Sequence, residues 1–392
     1  MIARVLPLLL AAIASAQTDD PAALRQRAGE LIAQGKYAEA EAALNRAIAA
    51  QESAAGPEDL SVAAPLSDLG ALYRAENRLA DAQKLFERAL AIRKKAQGED
   101  GAGQIPDLKS LAGTYAAQNI NPAAEIAFLR VIDLRQKDSA HRDLDLAKDY
   151  TDLANFYIAR ERYPVAEPNL ARAAAIIEKS LGAISRELLP PLDALVQIYM
   201  KLQRFPDAEA PLRREISIEE TTYGPSNQHV AAYLDRLALV YYLEKRYADA
   251  QPLYERSLPI WEKVLQPDDP ELATSLDNLA VVDASQQKFA LAEPLYRRSL
   301  AIREKADVDS MNNLALALEG KGENAAAERL YQRALTMVER IPSLPGNANV
   351  GESAALLKTL GNYSLLLRKL KRDAEAAKLE TRAKAISLGA SK

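Results

Sequence analysis

Residues 247–260 read Tyr247-Ala-Asp-Ala-Gln-Pro-Leu-Tyr-Glu-Arg-Ser-Leu-Pro-Ile. An aromatic opens the segment, Ala250 follows three residues later and Tyr254 four after that, the spacing of one face of a helix. The same opening returns as Leu79-Ala80-Asp81-Ala82-Gln83, Tyr163-Pro164-Val165-Ala166-Glu167, Phe205-Pro206-Asp207-Ala208-Glu209 and Phe289-Ala290-Leu291-Ala292-Glu293, at multiples of 42 residues. A degenerate copy around Pro122-Ala123-Ala124-Glu125 fills the gap. Upstream of these openings, tyrosine recurs every 42 residues at Tyr73, Tyr115, Tyr157, Tyr199 and Tyr241. A fixed period of this length marks an array of helical hairpins, in which each unit touches only its neighbours.

The hairpin is already visible in Leu31, Gly35, Tyr37, Ala38, Ala40 and Leu44: an apolar first helix, a glycine where it stops, then an Ala-rich second helix. Ala82, Ala166 and Ala250 mark where helices approach closely, and Phe86, Phe128 and Tyr254 fill the space beside them. The tyrosine near the end of each first helix and the aromatic opening the second are expected to pack across the turn. Pro164, Pro168, Pro206, Pro211, Pro252 and Pro294 lie in or near first turns, where a missing N–H is tolerated. Pro259 lies deeper and predicts a kink that presents Trp261 at the end of its hairpin. Glycines and prolines at Gly56-Pro57, Gly98, Gly101-Ala102-Gly103, Gly182, Gly224-Pro225 and Pro267-Asp268-Asp269-Pro270 separate the pairs without strand-like alternation. The eighth unit arrives after about 35 residues, near Asp307 to Asp309, and residues 341–350 make a longer connection where the array could divide. About nine hairpins fit between Pro21 and Gly389, so the fold class is all-α.

Composition narrows the function. The chain is 48% hydrophobic with a formal charge of -4, and its Lys and Arg are interspersed with acids, so no basic stripe for nucleic acid is expected. Arg4, the apolar run Val5 to Ala14, and the small residues Ala14, Ser15 and Ala16 have the form of a cleavable leader, predicting a signal peptide over 1–16 and a repeat array over 17–392. The expected location is the bacterial periplasm or outside the cell. No later run reaches the roughly 20 apolar residues of a spanning helix, so no transmembrane segment is expected in the mature chain. There is no cysteine, hence neither a lipid anchor nor a disulfide, and helix packing must supply the stability.

Reaction chemistry is sparse. His141 and His229 are isolated and cysteine is absent, so no metal site is expected. Asp268-Asp269 lacks the spaced ligands and Gly turn of a calcium loop and reads as a helix cap. No serine sits in a Gly-x-Ser-x-Gly elbow, and Gly101-Ala-Gly and Gly320-Lys-Gly are too short for phosphate cradles. No cofactor and no catalytic residue are expected.

The combination of Leu69-Gly70-x-x-Tyr73 with Ala82, Phe86 and Ala89 resembles the tetratricopeptide repeat. Residues 247–260, Tyr296-Arg-Arg-Ser-Leu-Ala-Ile-Arg-Glu-Lys and Met311-Asn-Asn-Leu-Ala-Leu resemble its 42-residue form, seen in kinesin light chains. The resemblance implies a right-handed superhelical solenoid whose first helices line a concave groove for an extended peptide or a partner's helix. It implies groove positions two before and two after the leucine that precedes the small residue: Lys109, Thr151, Asn155, Asp193, Gln197, Asp235, Asp277 and Asn312. The position one before that leucine adds Ser110, Asp152, Arg236, Asn278 and Asn313. Ala71 and Gly113, and the apolar Leu239, Val281 and Leu316, depart from a polar peptide clamp. Asparagine can engage a peptide backbone irrespective of its side chains, and the charged residues would set orientation and on-rate.

The resulting expectation is an exported scaffold, not an enzyme, that binds a protein or peptide in the groove. The alternative is a structural protein self-assembling as a homo-oligomer through its end hairpins. A third, an enzyme with paired carboxylates in the groove, needs an acidic pocket with shifted pKa values.

Overall fold

The structure is a computed structural model describing residues 20–138, 143–303, 308–340 and 350–389. The leader assigned to 1–16, His141 and the connection over 341–349 lie outside the described residues. Every described element is helical. Hairpins one to three pair α1 (Pro21–Ala33) with α2 (Tyr37–Ala55), α3 (Leu60–Ala75) with α4 (Leu79–Gln97), and α5 (Ile105–Ala117) with α6 (Asn121–Lys137). Hairpins four to six pair α7 (Asp143–Ile158) with α8 (Tyr163–Leu181), α9 (Leu189–Lys201) with α10 (Phe205–Tyr223), and α11 (Gln228–Leu243) with α12 (Tyr247–Val264). The last three pair α13 (Pro270–Ser285) with α14 (Phe289–Ile302), α15 (Val308–Gly320) with α16 (Asn324–Arg340), and α17 (Val350–Lys369) with α18 (Asp373–Gly389). The chain forms two compact units, 1–194 and 195–392, divided within α9.

The helix ends follow the sequence signals. Asp59, Asn227 and Asp269 cap α3, α11 and α13 by accepting from the backbone N–H groups of Ser61, His229 and Glu271 at 2.8–2.9 Å. Asp269 is thus the cap within the Asp268-Asp269 pair, and His229 lies in the first turn that Asn227 caps. The turn inside each hairpin, however, is not reserved for glycine. Asn77, Asn119, Glu161, Gln203, Lys245, Gln287 and Lys371 take the left-handed conformation there, with φ of 55° to 62°, as Gly35 and Gly322 do elsewhere. The next residue's N–H returns to the carbonyl five residues back, as in Arg78 to Tyr73 at 2.8 Å and Arg246 to Tyr241 at 2.8 Å, closing a Schellman-type stop.

Small residues are where the period places them. Ala40, Ala82, Ala124, Ala166, Ala208, Ala250, Ala292, Ala327 and Ala376 are all fully buried, at one register position of successive second helices. A Cβ on Gly70 would meet the Phe86 ring at 2.8 Å, so the glycine of α3 is set by that ring.

Pro259 does not end its helix: α12 continues through Pro252 and Pro259. Both prolines are exposed on the outer side, where a carbonyl without an N–H partner faces water. Trp261 is not presented either. Its Nε1 donates to Asp235 Oδ2 at 2.8 Å, tying the end of α12 back to α11.

The recurrent tyrosines reach further than their own turn. Tyr73 Oη donates to Glu41 Oε1 of the preceding hairpin at 2.6 Å and Tyr157 to Glu125 at 2.9 Å, while Tyr363, one turn earlier on its helix than this register, reaches Glu328 at 2.8 Å. The arginine after the turn then grips the same carboxylate: Arg78 to Glu41 at 3.1 Å, Arg162 to Glu125 at 2.6 Å and Arg246 to Glu209 at 3.0 Å. That guanidinium also lies over the tyrosine ring, 3.6 Å away at Tyr73 and 4.2 Å at Tyr241. A Glu–Tyr–Arg clasp thus joins each such hairpin to the one before it.

Candidate protein-binding face

First helices carry their buried leucine at Leu69, Leu111, Leu153, Leu195, Leu237, Leu279 and Leu314. Several of the residues two before it brace one helix against another. Ser67 Oγ donates to Asp107 Oδ1 at 2.6 Å, and Arg93 pairs with the same carboxylate at 2.8 Å. One hairpin on, Lys109 and Arg135 reach the buried Asp149 at 2.7 and 3.0 Å, and Lys109 also pairs with Asp152 at 2.9 Å. Asp235 accepts from Ser257 and Trp261, and Asp277 pairs with Arg303 at 3.2 Å. Asn312 is fully buried and donates to Val308 O at 3.0 Å and Thr359 Oγ1 at 2.7 Å, joining α15 to α17. At Lys109, Asp235, Asp277 and Asn312 a neighbouring helix engages the side chain, so a ligand there would have to break that contact.

The electrostatics fit bracing. Burial pushes the Asp107 carboxyl above the usual range against the pull of Ser67 and Arg93, and burial does the same to Asp235 against Ser257 and Trp261. Burial works to lower the Lys109 ammonium, but hydrogen bonds to Asp149 and Asp152 outweigh it and raise it. Among the described residues no three His, Asp or Glu side chains converge as metal ligands would.

The other candidates lie nearer solvent. Asn155 and Gln197 are exposed, whereas Ser110, Thr151, Asp152, Asp193, Arg236, Asn278 and Asn313 are half-buried. Thr151 Oγ1 donates to Ala147 O at 2.9 Å, and the Arg236 guanidinium lies 5.5 Å from the Tyr233 ring. Within the second unit, Leu239, Leu316 and Leu365 stand 41%, 41% and 64% exposed, with Val281 half-buried between them. They hold one register position on α11, α13, α15 and α17. Asn278, Asn313 and Asn362 lie three residues earlier on α13, α15 and α17, and none has a hydrogen-bond partner among the described residues. A cleft of about 450 Å³ opens between these helices, lined by Val281, Phe289, Asn313, Leu316 and Lys369.

A second cleft, of about 400 Å³, lies in the first unit and was not foreseen from sequence. Its walls include Leu144, Lys148, Thr151, Ile177 and Pro191. Ile177 stands where α4 and α6 carry Arg93 and Arg135, and Pro191 where the buried Asp107 and Asp149 stand. The ionic brace is therefore missing at this hairpin and an apolar hollow takes its place. The signal was available as the repeated 14-residue spacing of Arg93 to Asp107 and Arg135 to Asp149, broken at Ile177 and Pro191.

Residues 19–95 and 228–305 match one tetratricopeptide-repeat profile, and residues 150–187 and 308–341 match a second. The chain is a tetratricopeptide-repeat protein. Its fold is similar to that of the apo form of RapI, at 13% identity over 94% of this chain and 98% of that one, with a TM-score of 0.52. It is also similar to BtubC (BKLC) from P. vanneervenii, at 21% identity over 58% of this chain and 91% of that one, with a TM-score of 0.45. A kinesin light chain-like repeat protein of Podosopora anserina matches at 20% identity over 52% of this chain and 97% of that one, with a TM-score of 0.43. No curated protein matches the chain in sequence. Tetratricopeptide-repeat proteins are typically scaffolds for protein–protein interaction, and no described helix of this one is long and apolar enough to cross a membrane.

Proposed function

We propose that this tetratricopeptide-repeat protein is an exported scaffold whose second unit holds an extended segment of a partner protein across α11, α13, α15 and α17. The observation that carries the reading is the row Leu239, Val281, Leu316 and Leu365 beside the unpartnered amides of Asn278, Asn313 and Asn362. Packed helices lie about 8–10 Å apart. A chain in the polyproline II conformation advances about 3.1 Å per residue with three residues per turn, so every third side chain meets the next leucine of the row. Asparagine amides at the same step suit a backbone whose N–H and C=O groups are free, as those of a bound helix are not.

The competing use of the ends meets a polar cap. Leu44, Phe86, Leu170, Leu212, Tyr254, Tyr296 and Tyr331 are buried at one second-helix position, where α18 instead carries Glu380. Arg368 holds Glu380 with two bonds of 2.7 and 2.8 Å, which disfavours end-on stacking. Export rests on residues 1–16, and amino-terminal sequencing of the envelope form tests it: the expected first residue is Gln17, and an uncleaved cytoplasmic chain would overturn it.

A photo-crosslinking side chain placed at Leu316 should capture a partner that the same group placed at Ile126 on the outer side does not. Leu239→Glu with Leu365→Glu should abolish that capture in a folded chain. Identical products from both positions would overturn the proposed face.

A further inference from the structure

The hollow of the first unit stands in the place of a brace. Three positions, each recurring at 42 residues, build that brace: Ser67, Arg93 and Asp107 between hairpins two and three, then Lys109, Arg135 and Asp149 between hairpins three and four. Between hairpins four and five the same positions are Thr151, Ile177 and Pro191. All three line the hollow. Pro191 removes the carboxylate and Ile177 the guanidinium, and Thr151 Oγ1 turns back to donate to Ala147 O at 2.9 Å. Among the described residues no side chain fills the space of about 400 Å³ that is left.

Apolar walls facing an unfilled space lack packing partners, and an apolar guest restores them. The rim decides the guest's polar end. Asp152 is held by Lys109 at 2.9 Å, and Glu187 accepts from Ser185. Lys148 is exposed one helical turn beyond Leu144 on the same face of α7, and its ammonium has no hydrogen-bond or ion-pair partner among the described residues. No side-chain amide lines the hollow, so a peptide backbone finds there none of the paired donors and acceptors that the asparagines of the second unit offer.

We propose that this hollow binds a free single-chain amphiphile with an anionic head, a medium-length fatty carboxylate, with its chain against Leu144, Ile177 and Pro191 and its carboxylate at Lys148. A space of about 400 Å³ suits one such chain and excludes the two of a bilayer lipid. Apolar burial supplies the affinity, and the exposed ammonium supplies a modest preference for the head. The proposal does not depend on the row across the second unit.

Titration calorimetry of the full chain with octanoate, octanol and octylammonium tests this. Octanoate should bind saturably, one per chain, with octanol about two- to fivefold weaker and octylammonium weaker again. Lys148→Met should remove the advantage of octanoate over octanol and leave octanol unchanged. Ile177→Arg with Pro191→Asp, which rebuilds the brace of the two preceding contacts, should fill the hollow and abolish binding of all three in a folded chain. No saturable binding of octanoate, octylammonium binding as tightly as octanoate, or binding that survives the rebuilt brace would each overturn the proposal. So would a leucine-containing peptide with blocked ends that binds more tightly than octanoate, which would give the hollow to a protein partner. Should the double variant not fold, Leu144→Asp at the exposed rim must weaken octanoate, and unchanged binding there overturns the proposal equally.

Discussion

Replacing Tyr241 with Phe removes one oxygen from the clasp between hairpins five and six. Tyr241 is 2% exposed, its Oη accepts from Arg213 Nη2 at 2.7 Å and donates to Glu209, and Arg246 lies 4.2 Å over its ring. Glu209 keeps Arg213 at 2.9 Å and Arg246 at 3.0 Å after the change, so no buried charge is abandoned. The loss is therefore a charge-assisted hydrogen bond at the low end of its range, about 1.5 kcal/mol. Tyr241→Ala removes the ring as well and should cost about 3–5 kcal/mol. The single tryptophan, Trp261, packs against the same core as Tyr241, so its fluorescence in a urea titration reports this neighbourhood. With a slope of about 2 kcal/mol per M, the Phe midpoint should fall by about 0.7 M and the Ala midpoint by twice that or more. A Phe variant within about 0.2 M of wild type would show that water replaces the hydroxyl. The 42-residue tyrosine period would then record ring packing alone.

Arg93→Ala should destabilise the first unit by about 3–5 kcal/mol in chemical denaturation followed by circular dichroism, because it leaves the fully buried Asp107 without its cation. Glu293 is held below the ordinary carboxylate range by hydrogen bonds from Lys321 and Arg297, so its stabilising contribution is present above the unfolded value and lost as pH falls through the lowered one. Lys321→Ala should accordingly flatten the acid-side decline in thermal midpoint, and an unchanged slope would contradict the pairing. Ala166→Leu has no room at a fully buried position and should cost about 1–3 kcal/mol or more by overpacking, read from the same denaturation curves.

The helical period was legible because its residues answer to constraints inside one hairpin. Ala82 and Ala166 must be small wherever two helices cross, and that demand repeats with the hairpin. Contacts between hairpins were harder to see. Tyr157 could be placed at its turn from sequence, but not joined to Glu125, because which second-helix face meets the next hairpin depends on packing geometry. The same holds for Lys109, Asp235, Asp277 and Asn312: their polarity fits a ligand face or a brace equally, and their contacts with a neighbouring helix were not legible in the sequence. Pro259 sits inside a continuous helix for a local reason, since its ring is exposed and the carbonyl it leaves without an N–H partner can face water.

Where the apolar groups are left open is an argument about use. An array that grew by stacking its ends would carry an apolar side chain at the position of Phe86 and Tyr254 in the last hairpin. Instead Glu380 stands there, neutralised by Arg368 of its own hairpin. On the adjoining first helix of that hairpin, Leu365 stands 64% exposed, in register with Leu316 and Leu239. Scattered surface leucines need no explanation, but leucines at one register position on three of four consecutive first helices, with valine on the other, form a row. Hairpin nine therefore carries a charged pair where the other second helices carry an apolar side chain, while the first-helix row of the second unit stays apolar, the pattern that the proposed ligand lying across the hairpins would need.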